Sequence, residues 1–459
     1  MRESQNFTEG KLFGQLIRFA MPVLAAMLLQ TMYGAVDMLI VGQFATAADA
    51  SAISTGTWIM TIITSLVMGI ATGTTVLLGR RLGEGKPQEA GKVIGTSVIL
   101  FAGIGLVLTV VVVGFAPSIA RMMHAPQEAM EATIAYIRIC AAGSIFIVAY
   151  NVLGSIFRGI GNSTMPLLTV AIACVANIVG DLLLVAVFHM ATVGAAIATV
   201  FAQFLSVVLA LVIVSKQKLP FTICKEDFRF QSSQVKELLR IGVPVALQDV
   251  LVNVSFLVLT AIVNSLGVVI SAGVGVAEKL CGFVMLAPSA FSQTMTSVVA
   301  QNMGAAKVDR AKRALLYGVG ASLAVGSVMA YVSFFHGDIM ASIFSSDPAV
   351  INAAAQYLKA YAIDTLLVSV MFCMNGYFNG CSKTTFAMVQ GVIGAFCVRI
   401  PMSYFMSKMV PVNLFYIGLA TPASSLLQTV MCVLYYWYLN GKTKKLEGYY
   451  GEAGHQQRI

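Results

Sequence analysis

Charged residues are scarce in this chain of 459 residues, where Asp, Glu, Lys and Arg together make up 11%. A soluble domain carries roughly a quarter charged residues. Hydrophobic residues reach 58%, which in a soluble protein would leave a large apolar surface in water. The composition therefore excludes an ordinary water-soluble enzyme or binding domain and indicates a protein surrounded by lipid.

The residues and motifs that build metal, redox and nucleotide sites are also few. Four histidines are scattered without metal-ligand spacing, and the eight cysteines include no CxxC pair. No GxxxxGK[ST] motif is present, so the chain has no recognisable phosphate loop. We expect neither an enzyme nor an ATP-driven pump, no cofactor, and cysteines that serve as small reduced core residues.

Apolar runs close to 20 residues long recur throughout the chain. Each is long enough to cross roughly 30 Å of hydrocarbon as an α-helix. Six such runs lie in each half, which predicts an all-α polytopic membrane protein with twelve transmembrane helices. The expected helices are residues 14–41, 52–78, 93–116, 131–156, 166–188, 192–214, 238–265, 271–299, 314–336, 351–377, 385–407 and 414–440.

The second half of the chain repeats the first about 221 residues later. The matching residues are Gly83 and Lys86 with Gly304 and Lys307, Tyr136 and Arg138 with Tyr357 and Lys359, Gly159 and Thr164 with Gly380 and Thr385, and, one residue out of register, Arg18 and Pro22 with Arg240 and Pro244. Two homologous helix bundles around a central cavity are typical of secondary transporters. With six helices in each, the two repeats are expected to be parallel.

The repeat predicts four segments. They are an N-lobe at residues 1–215, a cytoplasmic linker at 216–236, a C-lobe at 237–441 and a cytoplasmic tail at 442–459.

Most of the 29 Lys and Arg residues fall on one side of the twelve expected crossings. The loops on the opposite side contain only Arg121 and Lys408. By the positive-inside rule both termini are expected in the cytoplasm of a multi-pass protein of the inner or plasma membrane. The basic residues are then topology determinants that contact anionic lipid, so the net charge of +9 does not indicate nucleic acid. We expect a monomer.

Ionisable residues inside membrane helices are costly and therefore mark candidate functional sites. In the first half these are Asp37 and Asp181, with Asn177 one turn before Asp181 on the same face. Thr199, on the sixth helix, reaches a similar depth. Two carboxylates, an amide and a hydroxyl suit Na⁺ or a shared proton. The alternative is that each group only forms a hydrogen bond with a neighbouring helix.

The second half does not repeat this set. At a spacing of 221 residues, Val398 and Met402 answer Asn177 and Asp181, so the ion site is expected once. Arg399 requires a countercharge, which Asp364 or Glu278 could supply; an internal ion pair and a direct coupling role both remain open. The ionisable candidates inside the expected helices of this half are Asp249, Glu278, Lys279, Asp364 and Arg399.

Over essentially its whole length the chain resembles the MATE family, the multidrug and toxic compound extrusion transporters. The resemblance is carried by the twelve helices, the two lobes, the doubled Gly-x-x-Lys loops, Pro22 with Asp37, and the Asn177–Asp181 pair with Thr199. It implies that Asp37, Asn177, Asp181 and Thr199 form a cation site in the N-lobe. It also implies two further roles: helix bending at Pro22, and cavity-lining positions at Gln30, Tyr33 and Asn151.

The resemblance further implies a cation-coupled antiporter, driven by Na⁺ or H⁺, that exports amphipathic, cationic organic compounds by alternating access. Its partners would be small organic substrates and membrane lipid, without nucleic acid. The alternative is a lipid-precursor or polysaccharide flippase from a related superfamily. Such flippases often carry a strongly cationic cavity, whereas the candidates here are mostly acidic, which favours the exporter. A channel or structural protein would not explain paired acids in a duplicated scaffold.

Overall fold

The computed structural model describes residues 5–216, 224–409 and 411–456, and every regular element in these ranges is helical. The α-helices of the first half are α1 Leu12–Phe44, α2 Ala47–Gly83, α3 Pro87–Met122, α4 Met130–Ala142, α5 Ser144–Ile160, α6 Thr164–Asp181 and α7 Ala191–Lys216. Those of the second half are α8 Ser232–Asn264, α9 Val268–Val284, α10 Leu286–Gly304, α11 Val308–Phe335, α12 Gly337–Ser342, α13 Pro348–Gly380, α14 Thr384–Ile393, α15 Ile400–Ser407, α16 Leu414–Gly418 and α17 Ala420–Gln456.

Within the described residues, eleven helical spans are long and apolar enough to cross a membrane. Some of them join consecutive elements, such as α9 and α10 in Val268–Gly304. A twelfth span is the bent pair Gln127–Ala142 and Ser144–Ile160, whose two parts meet at 50°. This count confirms the twelve predicted crossings, and the structure adds a bend within the expected helix 131–156. The bend lies at Gly143, where a Cβ atom would come 2.5 Å from the side chain of Val200, so the missing side chain lets α7 pack closely.

Two of the spans contain a π-helical turn. One, Leu182–Val187, continues α6 directly after Asp181, and Phe188 N–H bonds the carbonyl of Leu183 five residues back. The other, Gly394–Arg399, joins α14 to α15 and ends at Arg399. Such single turns interrupt regular helices and occur frequently at functional sites.

The chain divides into two compact units, of which unit 1 comprises Met1–Val250, Ser289–Gly320 and Gly376–Met388. An apolar cluster of this unit joins α2, α3, α5 and α8, through residues such as Leu77, Phe101 and Leu238. Helices α2 and α8 are in direct backbone contact, because a Cβ atom on Gly73 would run into the Leu238 carbonyl. Close approach of this kind is how membrane helices associate without a hydrophobic driving force.

Unit 2 comprises Leu251–Pro288, Ala321–Asn375 and Val389–Ile459. Its core cluster includes Leu259 on α8, Val274 on α9 and Ile417 on α16, packed around the buried aromatic residues of α13. The rings of Tyr357 and Tyr361 lie 5.3 Å apart.

The expected linker, 216–236, lies partly outside the described residues, which omit 217–223. Within the described part, Lys225–Asp227 forms a 3₁₀ turn and α8 begins at Ser232. The Asp227 carbonyl packs against Gly95 of α3, which has no side chain to prevent the contact. At the other end, α17 extends as a helix through Gln456 across the start of the expected tail, 442–459, whose last three residues lie outside the described ranges.

Candidate functional site: a cluster of acceptor oxygens in the first repeat

Asp37 lies about three-quarters of the way along α1 and is 9% exposed. Its neighbours along the chain are apolar, and no other Asp, Glu, Lys or Arg lies in the second half of the helix, Leu28–Phe44. A buried carboxylate without a compensating partner is strongly disfavoured in its charged form. Asp37 therefore requires a partner from another helix.

That partner comes from α6. Asn177 and Asp181 are both fully buried and, four residues apart, lie on one face of the helix, as the spacing predicts. The carboxyl groups of Asp37 and Asp181 lie within hydrogen-bonding reach of each other. The structure thus brings together the two acids that the sequence singles out.

Helix α7 completes the group with Thr199. Its hydroxyl accepts a hydrogen bond from Nδ2 of Asn177, at a long distance of 3.5 Å. Gly180 makes this approach possible, because a Cβ atom there would come within 2.9 Å of Ala198 Cβ. We refer to Asp37, Asn177, Asp181 and Thr199 as the N-half site.

The N-half site contains more acceptors than donors. Oδ1 of Asp37, both carboxylate oxygens of Asp181 and Oδ1 of Asn177 are buried and have no hydrogen-bond partner within the described part of the chain. Two ionised carboxylates within reach of each other cannot bond, since neither has a donor. A shared proton, or a cation that takes oxygen ligands such as Na⁺, would satisfy these oxygens.

Other polar side chains surround the N-half site. Tyr33, one turn before Asp37, lies near both acids, and the side chain of Gln203 approaches its hydroxyl. Tyr136 on α4 lies within electrostatic range of Asp37 and 3.3 Å from the hydroxyl of Thr57. Sequence reasoning missed Gln203 and Tyr136 as site residues. Gln203 lies four residues after Thr199, so the helical spacing could have identified it.

The remaining first-half candidates lie apart from these contacts. Gln30 is half-buried on α1, two turns before Asp37. Asn151 is buried on α5 and donates its amide to the Ile147 carbonyl of its own helix at 2.8 Å. Pro22 lies inside α1, which continues as one helix from Leu12 to Phe44. Their cavity-lining and bending roles stay predictions.

Three of the second-half candidates have little contact with other polar groups. Asp249 is half-buried on α8, with no hydrogen bond described for its side chain. Glu278 on α9 is half-buried and lies 3.4 Å from the hydroxyl of Thr260, which donates more closely, at 2.9 Å, to the Phe256 carbonyl. Lys279 is exposed.

Among the described residues Arg399 forms no direct ion pair, which was one of the two alternatives left open by the sequence. Within the described part of the chain, no carboxylate oxygen lies within 4.0 Å of its guanidinium group. Instead, Nη1 donates to the hydroxyl of Ser255 at 2.9 Å, and the group lies 4.2 Å from the centre of the Phe256 ring. Asp364 is the acid within electrostatic range, and it accepts a hydrogen bond from Ser425. The hydroxyl and the aromatic face take the place of a contact carboxylate.

A comparison with protein families identifies the scaffold. The MatE family model matches the chain twice, at residues 22–183 and 244–405, which together exceed half of its length. The chain belongs to the MatE family. It is a multi-pass membrane transport protein and not an enzyme.

Several MatE proteins are similar over nearly the full chain. The probable multidrug resistance protein YpnP of Bacillus subtilis is 26% identical, and the match covers 97% of this chain and 99% of YpnP. The multidrug export protein MepA of Staphylococcus haemolyticus is 23% identical over 84% of this chain and 86% of MepA. A solved outward-facing structure of a multidrug resistance MATE family transporter of the MOP superfamily superposes with a TM-score of 0.89 at 20% identity, covering 95% and 98% of the two chains.

Near the ends of the two MatE matches the spacing of the repeat differs by one residue from the 221 that holds at Gly83 and Gly304. Both their first and their last residues lie 222 positions apart, one more than the spacing used for Val398 and Met402. At 222, Asn177 pairs with Arg399 and Asp181 with Ser403. Burial supports this pairing, since Arg399 and Ser403 are 5% and 0% exposed. The prediction of Val398 and Met402 as the equivalent residues was therefore wrong, because the one-residue shift already visible at Pro22 and Pro244 also holds here.

Proposed function

We propose that this MatE chain is a cation-coupled antiporter that exports amphipathic, cationic organic compounds by alternating access. The observation that carries the proposal is the N-half site, in which four buried oxygens from α1 and α6 have no donor. A transported proton or Na⁺ supplies the missing charge. The site therefore changes its electrostatic state each time the ion binds or leaves.

Such a site can drive transport only if the ion binds the two conformations of the transporter with different affinity. The N-half site meets this requirement because its ligands come from three helices, α1, α6 and α7. With the ion bound, Asp37 and Asp181 are held together. Without it, two buried carboxylates repel each other and favour a rearrangement of α1 relative to α6. We infer that the inward movement of the ion drives this rearrangement and so releases the substrate outward.

The substrate class rests on the relatives and on charge. YpnP is named a probable multidrug resistance protein and MepA a multidrug export protein. An acidic site favours organic cations, which compete with the ion for the same carboxylates. A lipid-precursor flippase would instead need hydrogen-bond donors for a pyrophosphate group. The atoms of the N-half site that have no hydrogen-bond partner are acceptors. The exporter is therefore the better assignment.

Orientation follows from the distribution of basic residues. We propose that both termini and the loops after α2 and α10 face the cytoplasm of the inner or plasma membrane. On this assignment Asp37, toward the end of α1 at Phe44, lies in the outer half of the membrane. The ion then enters the N-half site from outside, as an antiporter driven by an inward gradient requires.

The proposal is tested with purified protein in proteoliposomes loaded with ethidium, a fluorescent amphipathic cation. Inward Na⁺ and H⁺ gradients are imposed separately. We expect one of the two gradients to accelerate ethidium efflux from the vesicles, and protein-free liposomes to show no acceleration. An ethidium efflux rate that is the same with and without each gradient contradicts cation coupling. Transport of a lipid-linked pyrophosphate in the same vesicles, without ethidium movement, would favour the flippase.

A further inference from the structure

The short segment that precedes α1 is anchored far more firmly than chain termini usually are. We call Gln5–Lys11 the strap. Phe7 in its middle is fully buried, and its ring packs edge-to-face on Phe19 of α1 at 5.2 Å. The strap therefore occupies a defined position within unit 1.

Side chains of α10 and α11 hold the strap by its main chain. Phe7 N–H donates to Oε1 of Gln301 at 3.2 Å, and its carbonyl accepts from Asn302 at 3.2 Å and from Nε of Arg310 at 2.8 Å. Nη2 of Arg310 also reaches the carbonyls of Glu9 and Gly10, at 2.7 and 3.0 Å. Bonds from a charged donor are the stronger kind, which makes Arg310 the central anchor.

The other end of the strap is held by the first repeat. Gln5 N–H donates to the carbonyl of Gly161, in the turn between α5 and α6, at 3.1 Å. Gly161 has φ of +87°, and a Cβ atom there would run into the Gln5 carbonyl. Gln301 joins the two anchor points, since its Nε2 donates to the Gly159 carbonyl at 3.1 Å. The strap thus crosses from one repeat to the other.

Beneath the strap, the corresponding corners of the two repeats touch each other. A Cβ atom on Gly83, at the end of α2, would run into the Gln301 carbonyl. Reciprocally, a Cβ atom on Gly304, at the end of α10, would run into the Arg80 carbonyl. Each of these residues lies 221 positions from its counterpart, so the contact is symmetric. No opening can form at this face until the two corners separate.

The arginine near the end of α2 and the arginine that follows the end of α10 have different kinds of partner. Arg81 at the first corner has three acids within 3.3 Å: Glu84, Glu89 and Glu237. At the second corner, the bonds described for the Arg310 guanidinium go only to the strap and to Gln15 of α1. Arg310 therefore loses most of its hydrogen bonds whenever the strap leaves.

From this arrangement we propose that the strap is a releasable clasp, which keeps the face containing the ends of α2 and α10 closed and must detach before that face opens. Its charged anchor is Arg310 and its apolar anchor is Phe7. The clasp controls opening whatever the substrate and ion are. Its test therefore needs neither substrate nor ion gradient.

The test uses a buried reporter cysteine beneath the strap. Val76 is fully buried against Ile241 and Ala300, so Val76→Cys reacts with a water-soluble methanethiosulfonate only when the face opens. The exposed cysteines Cys224 and Cys397 are first replaced by serine. Arg310→Ala should raise the reaction rate by about tenfold or more, the factor that corresponds to losing one charge-assisted hydrogen bond. Phe7→Ala should raise it by at least as much, because it removes a fully buried aromatic side chain. The matched control is Arg313→Ala, an exposed arginine one turn along α11, which should leave the rate unchanged.

Hydrogen–deuterium exchange of residues 5–11, in chains with the native Val76, reports strap release independently of the reporter. Exchange at Phe7 should be slow in the wild type and in Arg313→Ala, and at least about tenfold faster in Arg310→Ala. If the strap is released but the reporter rate does not change, the strap is only a structural anchor and the proposal is wrong. Fast exchange in the wild type contradicts it equally. If Val76→Cys does not fold, Ala300→Cys at the same contact replaces it.

Discussion

The N-half site and the equivalent positions of the second repeat lie on equivalent helices, but their side chains carry different charges. Within the two MatE matches, a spacing of 222 residues pairs Asp37 with Leu259, Asn177 with Arg399 and Asp181 with Ser403. The same spacing, continued beyond the matches, pairs Thr199 with Thr421. All four second-half side chains are buried, at 0%, 5%, 0% and 2% exposure. At the first three of these positions the duplication has therefore preserved burial while replacing two carboxylates by a leucine and a serine, and at the fourth Thr199 is half-buried.

This difference in charge predicts that the two repeats have different roles in transport. The N-half site has unpartnered acceptors, whereas the unpartnered atoms at the second-half positions include donors, Nε of Arg399 and the hydroxyls of Ser403 and Thr421. A cation or proton fits the first set, whereas the positive guanidinium of Arg399 repels it in the second. Asp364, from a helix that contributes nothing to the N-half site, partly balances Arg399. We therefore expect ion coupling in the first repeat and a structural role for the buried charges of the second.

The largest expected effect is loss of coupling in Asp37→Asn and Asp181→Asn. Asparagine keeps the size of the side chain but loses the negative charge that a proton or cation requires. An interaction with a charged group contributes about 1.5–3 kcal/mol, so ion-coupled efflux should fall by about 10- to 100-fold. Efflux is measured in proteoliposomes and normalised to protein abundance. Asp338→Asn, at an exposed position, is the control; wild-type efflux in either site variant would make that carboxylate structural.

A second prediction concerns the buried charges of the second repeat. Asp364→Asn and Arg399→Gln should each lower the free energy of unfolding by about 1–3 kcal/mol, because each leaves a buried group less well compensated. Ion dependence of efflux should persist in both. The double variant should recover part of the loss, by about 0.5 kcal/mol or more, since the two charges interact over a distance. Loss of ion dependence in Asp364→Asn would move the coupling site to the second repeat.

Gly180 provides a third test, which separates geometry from charge. Gly180→Ala inserts a Cβ atom only 2.9 Å from Ala198 and should push α7 away from α6. Overpacking of this kind lowers the free energy of unfolding by about 1–3 kcal/mol. It is measured as a lower midpoint of thermal unfolding in detergent. Gly114→Ala is the matched control, since it has no atom within 4 Å and should be neutral or slightly stabilising. Equal behaviour of the two variants would show that α6 and α7 are not tightly apposed.

The smallest expected effect belongs to Thr199→Val. The hydroxyl makes one long hydrogen bond, so its loss should cost about 1 kcal/mol or less and weaken apparent ion affinity by roughly fivefold. Thr421→Val, at the corresponding position, should not change ion dependence. If both variants shift the ion dependence equally, the two repeats share the coupling function.

Much of the fold was predictable because long apolar segments have few alternatives in a membrane. The twelve crossings and the repeat were evident in composition and spacing, and so was the Asn177–Asp181 pair. The bend at Gly143 and the π turns depend on packing between helices and have no local signal. Sequence identity between the repeats was too low to fix a one-residue offset, so Arg399 and Ser403 were not matched. The strap was missed because its only distinctive residue, Phe7, looks like an ordinary terminal residue.

The most direct test of the account is ion binding at the N-half site itself. Thermal unfolding of the purified protein is followed while Na⁺ is varied at fixed pH, and then while pH is varied at fixed Na⁺. A bound ion stabilises the folded protein, by about 2.7 kcal/mol at a hundredfold excess over its dissociation constant. We predict that the wild type and Asp364→Asn respond to the same ion, and that Asp181→Asn responds to neither. A normal response in Asp181→Asn, with none in Asp364→Asn, would contradict the central claim.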